Sequence, residues 1–308
     1  MPSNRALAGV IRPTTLIESF RLSRKLGAEI TLASESFQHT GSFKFRAAYN
    51  LAANVPHAKI ITASSGNFGQ ALACACAMLG KSCVVVMPHT SARIKMDAVR
   101  EFGGKIEIVD VRVKTRAARV AELGKENPEA CLASAYDDPF VIEGNASLGH
   151  ELGQCGRSWD YILAPVGGGG LTSGLITGLR AVGSEIPVIG IEPILANDAA
   201  RSLRAGQLIV NEQEPQTLAD GVRTLSLGKN NWAILQRGLR EIIEVSEEQI
   251  REAVRLLFNV ANLKAEPTGA LSVAGVLAAG ERFAGKSICC VISGGNVDPD
   301  LFRTLLEK

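Results

Sequence analysis

The chain of 308 residues is 46% hydrophobic and 21% charged, a composition that can bury a large core and excludes a disordered tail or a fibre. Its 33 basic and 31 acidic side chains give a formal net charge of +2, so charge gives no reason to expect nucleic acid or an acidic membrane as partner. No apolar signal segment begins the chain, and no apolar run reaches the ~20 residues of a membrane helix. Seven cysteines in apolar or strand-like runs, without a CxxC pair, predict reduced thiols in the core. We therefore expect a cytoplasmic protein that acts on a small molecule.

Short β-branched runs alternate with helical stretches, which is the pattern of parallel sheets covered by helices. This pattern predicts buried strands at Lys59–Ala63, Ser82–Met87, Lys105–Asp110, Asp160–Pro165, Pro187–Ile191 and Ser287–Ile292. Helical spacing predicts helices at Ala92–Phe102, Thr115–Asn127, Leu171–Val182, Ser246–Leu263 and Ala270–Ala284. The predicted fold class is α/β, with two domains built on open twisted sheets. Residues 55–137 would form a small mobile domain, and residues 1–54 and 138–308 a large one.

Glycine and polar residues follow four of the predicted strands, where open α/β sheets bind their ligands. These segments are Ser64–Gln70, Val166–Gly170, Glu192–Pro193 and Ser293–Asn296. We expect all four strand ends to converge on one crevice.

Gly167, Gly168, Gly169 and Gly170 lie between a predicted strand and a predicted helix, where bare backbone N–H groups can wrap an anion at the positive helix end. Four glycines cost conformational entropy, so we interpret the run as a phosphate cradle rather than a flexible turn. No Lys-Ser or Lys-Thr pair follows, which excludes a Walker loop. No acidic residue ends the next strand at the spacing that a dinucleotide ribose needs. The expected phosphate is therefore not that of ATP or NAD.

Lys44 stands between two aromatic side chains, Phe43 and Phe45. A lysine is usually a surface charge, but rings that exclude water would push its amine toward the neutral form that a Schiff-base lysine requires. The combination of this lysine with the phosphate cradle and with the Ser64–Asn67 loop favours that second interpretation.

Four segments in this order resemble the serine/threonine dehydratase and serine racemase family of fold-type II pyridoxal-phosphate enzymes: Ser42–Arg46, Ser64–Asn67, Gly167–Gly170 and Ser293–Asn296. The resemblance covers essentially the whole chain. It implies a fold similar to the β subunit of tryptophan synthase and pyridoxal 5′-phosphate as the cofactor.

The resemblance also implies a role for each matching residue. It implies that Lys44 forms the Schiff base with the cofactor, Phe43 packs on its ring, Asn67 bonds its 3′-oxygen, Gly167–Gly170 hold its phosphate and Ser293 faces its ring nitrogen. The implied reaction is β-elimination, in which Lys44 removes the α-proton of a 3-hydroxy amino acid such as L-threonine or L-serine. The products are a 2-oxo acid and ammonia. A serine at the ring nitrogen, in place of a carboxylate, weakens the electron sink and favours elimination.

The loop of Ser64, Ser65, Gly66 and Asn67 would supply donors for the substrate carboxylate at a helix N-terminus. Phe68 stands where the family commonly has histidine, and its apolar bulk is compatible with a modified 3-hydroxy amino acid as substrate. In the racemases of the family, the residue matching Ser65 delivers a proton, so a serine or aspartate-type racemase is the alternative. A protein that binds the cofactor without catalysis is the remaining alternative.

Glu192, Ala196 and Asp198 resemble the divalent-cation segment of the family. Oxygen ligands at this spacing suit Mg²⁺, Ca²⁺ or Mn²⁺, whereas acids this close are otherwise typical of a solvated loop. The resemblance further implies a homodimer.

Overall fold

The computed structural model describes residues 6–64 and 66–307. Its strands are β1 (Thr15–Glu18), β2 (Glu29–Ser34), β3 (Lys59–Ala63), β4 (Ser82–Pro88), β5 (Lys105–Val109), β6 (Cys131–Ala133), β7 (Tyr161–Pro165), β8 (Val188–Pro193), β9 (Leu239–Val245) and β10 (Ser287–Ile292). Its helices are α1 (Phe20–Leu26), α2 (Lys44–Asn54), α3 (Asn67–Met78), α4 (Arg93–Glu101), α5 (Arg116–Glu126), α6 (Pro139–Gln154), α7 (Gly170–Ala181), α8 (Asp198–Ala205), α9 (Lys229–Gly238), α10 (Glu247–Ala261), α11 (Pro267–Ala279) and α12 (Pro299–Leu306).

The strands form two open sheets, as expected for the predicted α/β class. The large sheet has the order β1-β2-β10-β7-β8-β9, and the small sheet has the order β5-β4-β3-β6. Every neighbouring pair is parallel except β1 with β2. The six predicted strands are present, each within two residues of the expected ends.

In each sheet, the chain adds parallel strands in one direction and then returns once to add a strand on the opposite side of the starting strand. In the small sheet the chain proceeds from β3 through β4 to β5 and then returns to the other side of β3 as β6. In the large sheet it proceeds from β7 through β8 to β9 and returns to the other side of β7 as β10. A crevice opens at the carboxyl ends of the two strands that flank such a reversal. The fold therefore offers two crevices, one between β3 and β6 and one between β7 and β10.

The apolar core of the small sheet extends beyond the segment that carries its strands. Its strands all lie within residues 55–137, but Phe45 and Leu51 on α2 and Val141 on α6 join its buried cluster. The domain boundaries and the mobility of the small domain stay predictions. The seven cysteines are free thiols, and five of them are buried as expected, but Cys131 is half-buried and Cys155 is exposed. Within the described residues, no helix combines the length and the apolar character needed to span a membrane.

Candidate active site

A cavity of about 690 Å³ lies where the two crevices face each other. Among the predicted site residues, its lining includes Phe43, Lys44, Ser64, Gly66, Asn67, Phe68, Gly167, Gly168, Gly169, Gly170 and Ser293. Ser65, predicted to bind substrate and to take part in catalysis, lies outside the described residues. The prediction that Glu192–Pro193 shares this crevice is wrong, since neither residue lines the cavity. The physical reason is topological: β8 flanks neither reversal of strand order.

Lys44 is the first residue of α2 and projects into the cavity. Its ammonium Nζ donates to the carbonyl oxygen of Ala135, 3.1 Å away, just beyond β6. The same nitrogen lies 4.9 Å from the ring centroid of Phe43 and 5.8 Å from that of Phe68. The prediction that Phe45 flanks Lys44 is wrong, because consecutive residues of a helix point in different directions and Phe45 is buried in the core. Phe68 supplies the second ring instead.

The environment of Lys44 shifts its side chain toward the neutral amine. Burial lowers the pKa of Lys44 from 10.5 to about 8, against the opposing charge of Glu266. Near neutral pH, a far larger fraction of this lysine is therefore unprotonated than of an exposed lysine. This is the state in which a lysine attacks a carbonyl or accepts a proton.

The loop between β3 and α3 is shaped by Ser64. Its Oγ accepts the backbone N–H groups of Gly66, at 3.1 Å, and Gly69, at 2.9 Å, and so caps the start of α3. Asn67, the first residue of that helix, donates from Nδ2 to Glu266 Oε1 at 2.5 Å. Its Oδ1 accepts from Asn296 Nδ2 at 3.0 Å. The Asn67 amide is therefore held in one orientation at the edge of the cavity.

The glycine run joins β7 to α7 at the other wall of the cavity. A Cβ on Gly168 would lie 2.3 Å from Cδ2 of Tyr136, and a Cβ on Gly167 would lie 2.8 Å from Cα of Val222. Gly169, with φ +92°, occupies the left-handed region and precedes α7 directly. Asn145 Nδ2 donates to the Gly170 carbonyl at 3.0 Å. Neighbouring residues therefore hold a glycine loop against the N-terminus of a twelve-residue helix, a geometry suited to phosphate.

Ser293 follows β10 at the reversal in the large sheet. It is 2% exposed, and its Oγ has no hydrogen-bond partner among the described residues. Its carbonyl oxygen accepts the N–H of Phe43 at 3.0 Å, which ties this strand end to the segment that carries Lys44. An orphaned buried hydroxyl in a cavity wall points to a ligand atom as its partner.

Glu192, near the end of β8, and Asp198, the first residue of α8, are both buried and do not line the cavity. The Glu192 oxygens accept the N–H groups of Ala199, at 3.0 Å, and Ala200, at 2.9 Å, whereas Asp198 Oδ2 is buried without a partner. Burial, then the charge of Asp198, raises the pKa of Glu192, and burial raises that of Asp198 to about 6. Within the described residues, neither carboxylate has a salt bridge, and no cluster of three His, Cys, Asp or Glu side chains could hold a metal. The third predicted ligand, Ala196, is buried beside them.

Comparison with known proteins shows the family to which the chain belongs. A family profile described as "Pyridoxal-phosphate dependent enzyme" matches residues 7–294. The chain belongs to this family.

Relatives place the enzyme among hydroxyamino acid ammonia-lyases and racemases. The L-threo-3-hydroxyaspartate ammonia-lyase of Saccharomyces cerevisiae is 33% identical over 99% of this chain and 94% of its own. A serine racemase of Schizosaccharomyces pombe is 32% identical over 96% of this chain and 92% of its own. The solved structure of a threonine deaminase from T.th., 40% identical, superposes with a TM-score of 0.89 over 96% of each chain. The chain is thus a pyridoxal-phosphate-dependent enzyme of ammonia-lyase type acting on an amino acid.

The residues of the cavity fit the cofactor of this enzyme. Ser293 offers a hydroxyl without a partner among the described residues, Lys44 a desolvated amine, and the glycine loop backbone N–H groups at a helix N-terminus. When bound, pyridoxal phosphate supplies an electron sink for the bonds at the substrate α-carbon.

Three cavity residues with contacts to the predicted site have roles that the sequence analysis did not predict. Tyr136 packs its ring on Gly168, and Glu266 accepts from Asn67. Lys95 is 2% exposed although it lies on an amphipathic helix, where a lysine usually faces solvent. No sequence signal pointed to Tyr136 or Lys95.

Replacing Gly168 with alanine is expected to weaken cofactor binding by about tenfold, which corresponds to ~1.4 kcal/mol. The new Cβ would lie 2.3 Å from Cδ2 of Tyr136, so the loop or the ring must shift, and the backbone N–H groups lose the positions that suit the phosphate. Titration of cofactor-free protein with pyridoxal phosphate, followed by absorbance, measures the effect. Gly153→Ala is the control, because its Cβ would meet the Val182 side chain, away from the cavity. Wild-type affinity in Gly168→Ala would contradict the assignment of the loop.

Proposed function

We propose that the enzyme is a dehydratase that converts a 3-hydroxy amino acid, such as L-threonine or L-serine, to a 2-oxo acid and ammonia by β-elimination. The observation that carries this proposal is the position of Lys44. Its Nζ lies in a cavity between two aromatic rings, with its pKa lowered to about 8 by burial, and the same cavity is lined by the glycine loop and Ser293.

Five parts of the cavity would hold the cofactor. Lys44 would carry it covalently, with the Phe43 ring against its ring and Asn67 Nδ2 at its 3′-oxygen. The backbone of Gly167–Gly170 would bind the phosphate, because it combines close packing with a helix N-terminus. Ser293 Oγ would meet the ring nitrogen, since it is buried and lacks another partner among the described residues.

Side chains and backbone groups of the cavity would bind the substrate and remove its α-proton. Gly66 and Asn67 begin α3 and line the cavity beside Ser64, so their N–H groups and the Ser64 hydroxyl hydrogen suit the substrate carboxylate. The Lys44 amine would remove the α-proton, because burial lowers its pKa to about 8 and so increases the fraction that is unprotonated and able to accept a proton. Phe68 would pack against the substrate side of Lys44 and exclude water there.

The hydroxyl of Ser293 supports elimination over reactions that need a long-lived carbanion. A neutral hydroxyl does not hold a proton on the ring nitrogen as a carboxylate would. The electron sink is therefore weaker, and loss of the β-hydroxyl competes well with return of a proton to the α-carbon.

Release of ammonia and 2-oxo acid tests the proposal. Purified protein with added pyridoxal phosphate would be assayed on L-serine, L-threonine, threo-3-hydroxyaspartate and 3-phenylserine, with cofactor-free protein as control. Hydroxyaspartate belongs in the panel because the yeast relative is named for it, and phenylserine tests the apolar bulk of Phe68. Turnover of one member that requires the cofactor supports a dehydratase. Inversion of the α-carbon without ammonia would overturn the proposal and favour a racemase.

A divalent cation at Glu192, Ala196 and Asp198 is a further part of the proposal. Two buried carboxylates that repel each other, one with an orphaned oxygen, fit a cation bound by oxygen ligands. The homodimer and the cytoplasmic location implied by the sequence stay predictions, and sedimentation of the purified protein tests the first.

Addition of Mg²⁺, Ca²⁺ or Mn²⁺ is expected to raise the unfolding midpoint at pH 7.5. At a hundredfold excess over its dissociation constant, a cation bound only by the folded chain stabilises it by about 2.7 kcal/mol, or roughly 5 °C. Thermal unfolding with each salt, against the same ionic strength of NaCl, measures the shift. Asp198→Asn should abolish it, because the orphaned Oδ2 is replaced by an amide. An equal shift in this variant, or none in the wild type, argues against the site.

A further inference from the structure

Lys95 crosses the cavity from one sheet to the other. It lies on α4, between the small-sheet strands β4 and β5. Its Nζ lies 2.7 Å from Oδ2 of Asp220 and 3.1 Å from Oε2 of Glu266. Glu266 precedes α11, which packs on β7, β8 and β10 of the large sheet. One ammonium therefore joins the two halves that enclose the active site.

Glu266 connects Lys95 to Asn67, which is predicted to bind the cofactor. One of its oxygens faces Lys95, and the other accepts from Asn67 Nδ2 at 2.5 Å. Asn67 Oδ1 in turn accepts from Asn296 Nδ2 at 3.0 Å. The Asn67 amide donates only from its nitrogen, and the Glu266 oxygen accepts, so this contact fixes which way the amide points. The ion pair and the amide orientation thus form one network.

The stem of Lys95 supports the loop that begins α3. A Cβ at Gly66 would lie 2.1 Å from Cδ of Lys95, so the stem occupies the space where a side chain at position 66 would lie. Lys95 therefore touches the loop with its methylenes and the large-sheet side with its ammonium. Lys95 and Glu266 are 2% and 1% exposed, so both charges have lost most of their hydration. Burying an apolar pair of similar size would cost less free energy than burying this ion pair. We therefore attribute the two charges to the specific arrangement of side chains that they impose.

We propose that Lys95 is a positioning residue, which orients Asn67 through Glu266 and fixes the loop at Gly66 to the large-sheet side of the cavity. The proposal rests on the proposed function only in that Asn67 contacts the cofactor. Lys95 takes no part in bond making. Its removal should loosen the loop and leave Glu266 without its cation.

Lys95→Met tests this in cofactor-free protein and in titrations with pyridoxal phosphate. Hydrogen–deuterium exchange of residues 66–78 should become faster, by about tenfold in the first turn, because loss of a buried charge partner costs well over 1.4 kcal/mol. The cofactor dissociation constant should rise by about tenfold or more. Lys95→Arg should recover most of both properties. Lys81→Met is the matched control, because Lys81 Nζ donates to the carbonyls of Ala52 and Val55, at 2.6 Å each, outside the cavity.

Wild-type exchange and wild-type cofactor affinity in Lys95→Met would overturn the proposal. If Lys95→Met does not fold, Asp220→Asn is the variant to test. This change weakens the ion pair between Lys95 and position 220 but leaves the contact between Glu266 and Asn67. That variant should move both quantities in the same direction by a smaller factor, and no movement would equally overturn the proposal. Absence of any substrate turnover by the wild type, with altered exchange in Lys95→Met, would refute the proposed function but leave this inference standing.

Discussion

Replacing Lys44 with alanine is expected to reduce ammonia release from the preferred 3-hydroxy amino acid by roughly 10⁴-fold or more, since the change removes the residue that we propose to act both covalently and as a base. Lys44 Nζ occupies the space between the Phe43 and Phe68 rings. The other cavity lysine, Lys95, is held by Asp220 and Glu266 and does not replace it. Steady-state rates with saturating pyridoxal phosphate measure the loss.

Lys25→Ala is the control for this change, because Lys25 lies in the exposed last turn of α1. It should keep the wild-type rate. A Lys44→Ala protein that is folded and retains more than about a tenth of the wild-type rate would contradict the role of Lys44, because base removal alone costs about 10²–10⁴-fold.

Replacing Arg46 with methionine is expected to lower the free energy of unfolding by about 3–5 kcal/mol, the usual cost of breaking a buried ion pair. Arg46 is fully buried, and its Nε lies 2.7 Å from Oε2 of Glu35, which is also buried. Its Nη1 lies 2.6 Å from Oε1 of Glu151. Without the guanidinium, the Glu35 carboxylate has no cation among the described residues. Urea unfolding followed by circular dichroism measures the change.

The double variant Arg46→Met/Glu35→Leu separates the free-energy cost of an unpaired Glu35 charge from the cost of the lost Arg46 packing. It should recover a large part of the stability, because it removes the uncompensated charge as well. A loss below about 1 kcal/mol in Arg46→Met, the range of a surface ion pair, would show that this pair does not hold α2 in place.

The sequence pattern predicted the buried strands, because a buried strand needs a continuous run of apolar, β-branched residues. β4 and β10 are such strands, and both match the predicted bounds within one residue. β6 was missed because its three residues, Cys131–Ala133, are too short to show a period. Tyr136 was missed with it, since its importance follows from β6 returning beside β3. Strand order is a property of pairing between distant segments, which no local pattern contains.

The candidate site was predictable where one residue type is required by local chemistry. The glycine loop and Lys44 are of this kind, because a cradle needs bare backbone and a desolvated lysine needs aromatic neighbours. Phe45 was assigned wrongly, since adjacency in sequence differs from adjacency in a helix. The link from Lys95 to Glu266 joins α4 to α11 across the cavity, so it emerges only when the two sheets are packed.

The most direct test of the account is to find the lysine that carries the cofactor. The protein would be incubated with pyridoxal phosphate, reduced with borohydride, digested and mapped by mass spectrometry. A phosphopyridoxyl group is expected on Lys44, the first residue of α2, which lines the same cavity as the glycine loop. The same label on Lys95, or on no lysine that lines the cavity, would contradict it.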